Sequence, residues 1–366
     1  MTTMAIDNKE KEVLNVPPLR FPEFTGEWQC KAIEKVAPLQ RGFDLPTQNL
    51  VEGIYPVIYS NGILQHHDKY KCEAPGLITG RSGTIGKFTY IDSGFYWPHN
   101  TSLWVTDFCG NCPKFIYYLY QTVHIEQFST GSGVPTLNRN DVHRYKTSVP
   151  TAIVEQEKIA KFLSILDERI VTQNKIIDKL QSLIKGINCK IFALIQGNEY
   201  RLGDIATITN GNSNVQDASV EYRVGLYPFF DRSEDVKYLP TFLFDKESII
   251  YPGEGTEFMP RYYNGKFALH QRCYAICDFN EAVNPQFLYF FLKTQNSYFI
   301  RNAVGSTVPS LRLDTFQKLK VVIPSKETQY SVYSFLSTLE QKLDVENSIM
   351  KMLLCQKRYL LRQMFI

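Results

Sequence analysis

Phe162-Leu-Ser-Ile-Leu-Asp-Glu-Arg-Ile170 is followed 173 residues later by Phe335-Leu-Ser-Thr-Leu-Glu-Gln-Lys-Leu343. Each copy lies in a long helix-forming stretch. Between Thr151 and Gln196 there is no proline and a single glycine, Gly186. Apolar residues there fall at Ile159, Leu163, Leu166, Ile170, Ile177, Leu180, Ile184, Ile187, Ile191 and Leu194. The steps alternate four and three once Gln173 is counted, which is the a/d spacing of a coiled-coil seam. The second stretch repeats it with Val332, Leu336, Leu339, Leu343, Met350, Leu353, Leu360 and Met364. Glu346 stands in the place of Gln173, and Lys357 in that of Ile184. A polar residue at the same seam position in both copies either fixes register or marks a splayed, wet part of the pair; the spacing leaves both open. A helix of ~40–45 residues is ~60–65 Å long, and one apolar stripe of that length needs a cover. The economical cover is the other copy.

The repetition extends upstream. Gly131-Ser-Gly-Val-Pro-Thr-Leu137 matches Gly305-Ser-Thr-Val-Pro-Ser-Leu311, and Val149-Pro150 falls on Ile323-Pro324. Phe115-Ile-Tyr-Tyr-Leu119 matches Phe287-Leu-Tyr-Phe-Phe291. Ile33-Glu-Lys-Val-Ala37 with Gly42 matches Leu202-Gly-Asp-Ile-Ala206 with Gly211. A period this long is a duplicated domain-plus-helix unit, not a short-repeat solenoid. The expected organisation is an arm at 1–27, a β-rich head at 28–150, a helix at 151–197, a second head at 198–324 and a second helix at 325–366. Short β-branched and aromatic runs between Gly, Asn and Pro turns suggest strands, with a helix over 113–124 and again over 285–297. The fold class is therefore α+β: two similar β-rich heads and two long helices paired as an antiparallel coiled coil, with pseudo-twofold duplication. Connectivity then predicts a head at each end of the pair. Such symmetry suits a ligand that is itself two-fold in outline, such as a DNA duplex.

Composition excludes several classes. Of the 366 residues, 44% are hydrophobic and 21% charged, as in an ordinary globular protein. The 22 Tyr and 24 Phe suit half-buried pleated faces. No apolar run approaches the ~20 residues of a membrane span. The polar start, Met1 to Glu12, lacks the apolar stretch of a signal peptide, so a cytoplasmic protein is expected. The net charge of +3 neither requires nor excludes nucleic acid. The eight cysteines are then expected to be reduced. Cys109-Gly-Asn-Cys112 has the spacing of a zinc knuckle, but a structural site needs four ligands and the other close pair, Cys273 and Cys277, is remote in sequence. No metal site is expected.

Catalytic motifs are missing. Gly80-Arg-Ser-Gly-Thr-Ile-Gly-Lys87 has one residue too many for a phosphate loop, and Phe88 replaces the Ser or Thr that would hold magnesium. It reads instead as a strand–turn–strand with an exposed Arg81. Asn15-Val-Pro-Pro18 lacks the aromatic residue of the adenine-methyltransferase motif. Neither a Gly-x-Gly-x-x-Gly loop nor a zinc-protease or nucleophile-elbow motif is present. His66 and His67 are adjacent, and on a strand they point to opposite faces, so they do not share an ion.

The ordered set of Val16-Pro-Pro-Leu-Arg-Phe-Pro-Glu-Phe-Thr-Gly-Glu-Trp28, the Arg81-to-Gly86 turn, the Gly131-to-Pro135 and Gly305-to-Pro309 pair, and Pro150 followed by Glu155-Gln-Glu-Lys-Ile-Ala-Lys-Phe-Leu163 resembles the specificity (S) subunits of type I restriction–modification systems. The resemblance runs from about residue 16 to 366. It is looser in the second copy, where Gln329 and Tyr330 stand near the place of Glu155-Gln156 and Gly253-Glu254-Gly255 replaces the Arg81 turn.

The resemblance implies that each head is a target recognition domain reading one half of a bipartite, asymmetric DNA site. It also implies that the helices set the unread spacer and dock two methyltransferase (M) subunits, and that restriction (R) subunits join the complex. The chain would be no enzyme and bind no cofactor. S-adenosylmethionine, ATP and magnesium would sit on the partner subunits. Arg pairs well with guanine, and Asn or Gln with adenine. The residue types suited to DNA contact are Asn61, Lys69, Arg81, Lys87, His99, Asn100, Asn138 and Arg139 in the first head, and Arg232, Arg261, Arg272, Arg301 and Arg312 in the second. The competing reading is an interaction scaffold, or an orphan specificity protein, without DNA recognition of its own. An enzyme in its own right is the third class.

Overall fold

The computed structural model describes residues 15–131 and 133–366. The start of the chain and Ser132 of the glycine-rich turn lie outside them. Two compact units divide the chain: residues 1–173 with 349–366, and residues 174–348.

The first unit opens with β1 (Gln29–Ala32), which pairs antiparallel with β12 (Lys146–Val149), Gln29 opposite Val149. Between them run β2 (Leu39–Arg41), β3 (Tyr55–Tyr59), β4 (Gly62–His67), β5 (Cys72–Glu73), β6 (Gly76–Gly80), β7 (Phe88–Ile91), β8 (Phe95–Pro98) and β9 (Ser102–Val105). They form two sheets of order β2-β9-β6-β7 and β4-β3-β8-β5. Helix α1 (Pro113–Thr122) follows, then a small β10 (Ser129–Thr130) and β11 (Thr136–Leu137) ribbon, and α2 (Arg139–Arg144). The long α3 (Ile153–Leu194) begins in this unit. His66 is exposed and His67 buried, as alternation on β4 requires.

The second unit repeats the plan. β13 (Asn198–Arg201) pairs with β20 (Lys320–Ile323), and α4 (Leu202–Ile205) leads into one sheet of order β14-β19-β17-β18-β15-β16. Its strands are β14 (Thr207–Asn210), β15 (Tyr227–Phe230), β16 (Lys237–Leu239), β17 (Phe244–Pro252), β18 (Arg261–Leu269) and β19 (Cys273–Cys277). Helices α5 (Pro285–Lys293), α6 (Asn296–Asn302) and α7 (Leu313–Gln317) follow, and α8 (Lys326–Gln363) runs out of the unit. One long strand, β18, does the work of β7 and β8. In the first unit Gly94, at φ +85°, lies between those two strands and ends the pairing. The helix expected over 285–297 divides, because the chain leaves α5 at Thr294 before α6 starts.

Both head helices carry Pro in their first turn, where its missing N–H costs nothing. Each buries an aromatic face: Phe115, Tyr118 and Leu119 in α1, and Phe287, Phe290 and Phe291 in α5. A long helix covers that face. Phe365 stacks on Phe115 with centroids 5.3 Å apart, and Phe192 meets Phe287 at 5.2 Å. The first core takes in Ile159, Leu163 and Leu166 of α3 with Leu353, Leu360 and Met364. The second draws in Phe192 of α3 and Ile195 just past its end with Val332 and Tyr333 of α8. Inside each unit the two helices therefore run antiparallel. In the first, the early turns of α3 meet the late turns of α8, and Lys357 reaches Asp167 at 2.6 Å.

The seam is the least exposed stripe of both helices. Ile159, Leu163, Leu166, Ile177, Leu336 and Leu353 are buried, and Ile170, Leu180, Val332, Leu339, Leu343 and Met350 half-buried. Gln173 is buried with them. Leu194 departs from the expectation at 69% exposure, since Ile195 packs into the second core instead. Lys357 keeps the seam closed by pairing rather than by apolar contact.

Candidate nucleic-acid interface

Each helix is fastened to its head by a buried glutamine. Gln156 accepts from the Cys112 N–H at 2.8 Å and donates to Pro150 O and Asn111 Oδ1. Gln329 accepts from the Asn284 N–H at 2.7 Å and donates to Pro324 O and Ala282 O. Gln329 is thus the counterpart of Gln156 itself, which the looser sequence match had obscured. Glu155 has no such copy. It holds Arg20 at 2.7 and 2.8 Å and Trp28 Nε1 at 3.1 Å, fixing the residues that lead into β1. Asn15 belongs to the same fastening, donating to Trp28 O. The Cys109–Cys112 spacing marks the lead into α1, where Cys112 is the N-cap. Among the described residues no group of three or more His, Cys, Asp or Glu is placed to hold a metal ion.

In the first head a cleft of about 610 Å³ opens beside β2, β9 and the β10–β11 ribbon. Arg41, Arg81, Asn138 and Arg139 line it, with Gln40 and Asp44. The Arg81 backbone is fixed on both sides, donating to Thr101 O and accepting from the Leu137 N–H. Its side chain is half-buried rather than exposed as expected, and its guanidinium has no hydrogen bond or ion pair among the described residues. A half-buried cation without a partner favours an external acceptor. Arg139 is exposed at the start of α2. Asn138 is already used: its Oδ1 caps α2 by accepting from the Asn140 N–H at 3.1 Å. Asn100 donates to Asp44, which Arg41 also approaches at 3.1 Å. Asn61, Lys69 and Lys87 are exposed and lie outside the cleft lining.

His99 has a turn-holding role. Its Nδ1 accepts from the Thr101 N–H at 3.3 Å, and its ring lies 4.2 Å from that of Tyr59. Burial pushes its pKa down, so the ring is neutral at pH 7.

The second head has a cleft of about 500 Å³ lined by Arg232, Arg272, His270, Gln271, Asp231 and Glu254. Arg272 Nη1 reaches both oxygens of Glu254, at 2.8 and 3.0 Å. Asp231 is buried. Burial alone would raise its pKa, but Lys237 at 2.6 Å and Ser233 outweigh it and hold the carboxyl below its ordinary range. Arg261 is committed inside the head. It donates to Asp231 O and lies over the Phe230 ring at 5.3 Å, and burial lowers its pKa. Arg301 donates to Ser297 O within α6, and Arg312 precedes α7; both are exposed and away from this cleft.

The scaffold around the two clefts is the same, but the clefts open on different sides of it: the places of Asp231, Arg232, His270 and Gln271 fall on Tyr59, Ser60, His99 and Asn100, none of which lines the first cleft. Gly42 N donates to Ser102 O, and Gly211 N to Cys273 O. His99 N donates to Ile58 O, and His270 N to Phe230 O. The His270 Nδ1 accepts from the Arg272 N–H at 3.2 Å, as His99 does from Thr101. Sequence reasoning missed Gln40, Arg41, Gln271 and Glu254. The halves carry the signal, since Gln40 and Arg41 precede the matched Gly42, Glu254 lies in the Gly-rich turn and Gln271 follows the matched histidine, but the intervening loops differ in length.

A family model described as the type I restriction modification DNA specificity domain matches residues 25–182 and again 197–353. The chain belongs to that family. The EcoDI type I restriction enzyme specificity subunit of Escherichia coli is 30% identical over 138 residues, which are 38% of this chain and 30% of that protein. The chain thus matches less than a third of that relative's length. The S subunit of a type I restriction–modification system from M. genitalium shares the fold with a TM-score of 0.65 at 20% identity, over 96% of this chain and 99% of that one. A chain from a structural study of complex assembly and conformational transition of the type I R-M system gives 0.55 at 13% identity, over 91% and 96%. Two specificity domains in tandem with a long helix between them are the family's architecture, and one cleft lies on each of its two globular parts.

Proposed function

We propose that this chain is the non-catalytic sequence-reading subunit of a type I restriction–modification complex, each head reading one half of a bipartite, asymmetric DNA target through its cleft. The observation that carries the reading is one scaffold built twice, with an arginine-lined cleft on each copy and different side chains at matched places. A shared frame with unlike linings is what two different half-sites require. Phosphate contacts by exposed Lys and Arg supply salt-dependent affinity, and base-edge contacts in the clefts supply choice.

The long helices set the distance between half-sites and dock two methyltransferase subunits, through which restriction subunits join. Apolar side chains off the seam support docking: Phe162, Ile165, Ile176 and Leu183 on α3 and Phe335 on α8 are each more than 40% exposed. S-adenosylmethionine, ATP and magnesium are held by those partners, and this chain binds no cofactor.

The test is selection from a random duplex pool by the full chain co-expressed with its methyltransferase. Replacing Arg81 by Ala should alter the bases selected in one half-site and leave the other half unchanged. A change in both halves together, or selection of no sequence by the unaltered complex, would overturn the proposal.

A further inference from the structure

We infer that Glu254 and Arg272 form the specificity-determining pair of the second head, with Arg272 reading a guanine in the major groove and Glu254 acting as the positioning residue that aims it. The inference rests on the sequence-reading role proposed above and names the contact at that site.

The internal duplication provides a control. Glu254 bridges antiparallel to Ser310, as Ser82 does to Thr136, so Glu254 occupies the Ser82 position. Arg272 occupies the Thr101 position, two residues after the matched histidine, and its N–H meets the same histidine nitrogen. The bridge and the histidine bond recur in both heads, yet the first head builds them with a serine and a threonine. The ion pair is therefore not needed to form the turn. Features that build the frame recur in both heads instead: Gln156 and Gln329 as clamps, and Phe365 and Phe192 as covers.

The geometry suits base reading. Arg272 is 63% exposed at the cleft, while Glu254 is only 19% exposed beneath it. Glu254 engages Nη1 alone, which leaves the Nε and Nη2 donors for an outside acceptor. Two neighbouring donors on a planar guanidinium match guanine O6 and N7. A free arginine loses side-chain entropy on ordering, and a carboxylate that already fixes one edge removes part of that cost. The first head presents its cation from the other side of the turn. Arg81 there corresponds to Gly253, where a Cβ would meet Arg272 O at 1.9 Å, so the second head cannot carry a side chain at that place.

The test compares the full chain with three variants, each co-expressed with its methyltransferase, in selection from random duplex DNA and in titrations against salt. The unaltered complex should select a guanine at one position of one half-site. Arg272→Ala and Glu254→Gln should each lose between about 5- and 150-fold discrimination at that position alone. The double variant Glu254→Ser with Arg272→Thr supplies the residues of the first head at both places. It should fold and show the same loss. An unaltered complex that selects no sequence would sink the reading role and this inference together. Retained guanine preference in the double variant would sink the inference alone. So would uniform weakening with a shallower salt dependence, the behaviour of a phosphate contact.

Discussion

Residues in this protein divide into those that both copies need and those that only one uses. Asp231 belongs to the second kind: it is buried, paired with Lys237 at 2.6 Å and bonded to Ser233. Its pKa lies below the ordinary carboxylate range, so the unfolded chain takes up its proton first as pH falls. Its contribution to stability is complete above the unfolded carboxylate pKa of about 4 and fades as pH drops through the lower folded value. Replacing Asp231 by Asn should flatten that part of the acid limb of the second head, followed by hydrogen exchange of β15 and β16 between about pH 5 and 3; an unchanged acid limb would contradict the pairing. Residue identity alone suggested that Arg261 and Asn138 contact DNA. Packing gives both a different task, because a buried carbonyl and an open helix terminus take their donors and acceptors first.

At the scale of elements, the heptad spacing located both long helices and their buried stripe. It placed Leu194 in the seam, where the end of the helix leaves it exposed and Ile195 inside. Leu336 and Phe335 separate the two faces of α8: Leu336 is fully buried and Phe335 is 49% exposed. Leu336→Ala should cost about 2–5 kcal/mol through lost contacts and a residual cavity, whereas Phe335→Ser should change stability by less than about 0.5 kcal/mol. Urea unfolding of the two variants measures the contrast, and equal effects would mean that the seam runs elsewhere. Strands were less legible. Local sequence does not say that one long strand in one head replaces two in the other, since Gly94 acts only through the pairing it ends.

At the scale of the whole molecule, the compact units cut through both helices rather than between helix and head. The first head owns the end of the chain: Leu353, Leu360, Met364 and Phe365 are part of its core, and Leu19 N donates to Gln363 O. Removing residues 349–366 should therefore strip protection from β1, β12 and α1 in hydrogen exchange and leave β17 and β19 protected. Equal loss in both heads, or none in the first, would contradict that ownership.

The sequence by itself determined the duplication, the two helices with their seam, the α+β class and the family. These are carried by periodicity and by matched local motifs, which survive in one dimension. Only the tertiary structure decided what Gln156 and Gln329 clamp, that Arg81 is half-buried and unpaired among the described residues, and that Glu254 meets Arg272. Each depends on contacts between segments far apart in the chain, and within the heads loops of unequal length erase the correspondence of the two copies from the sequence.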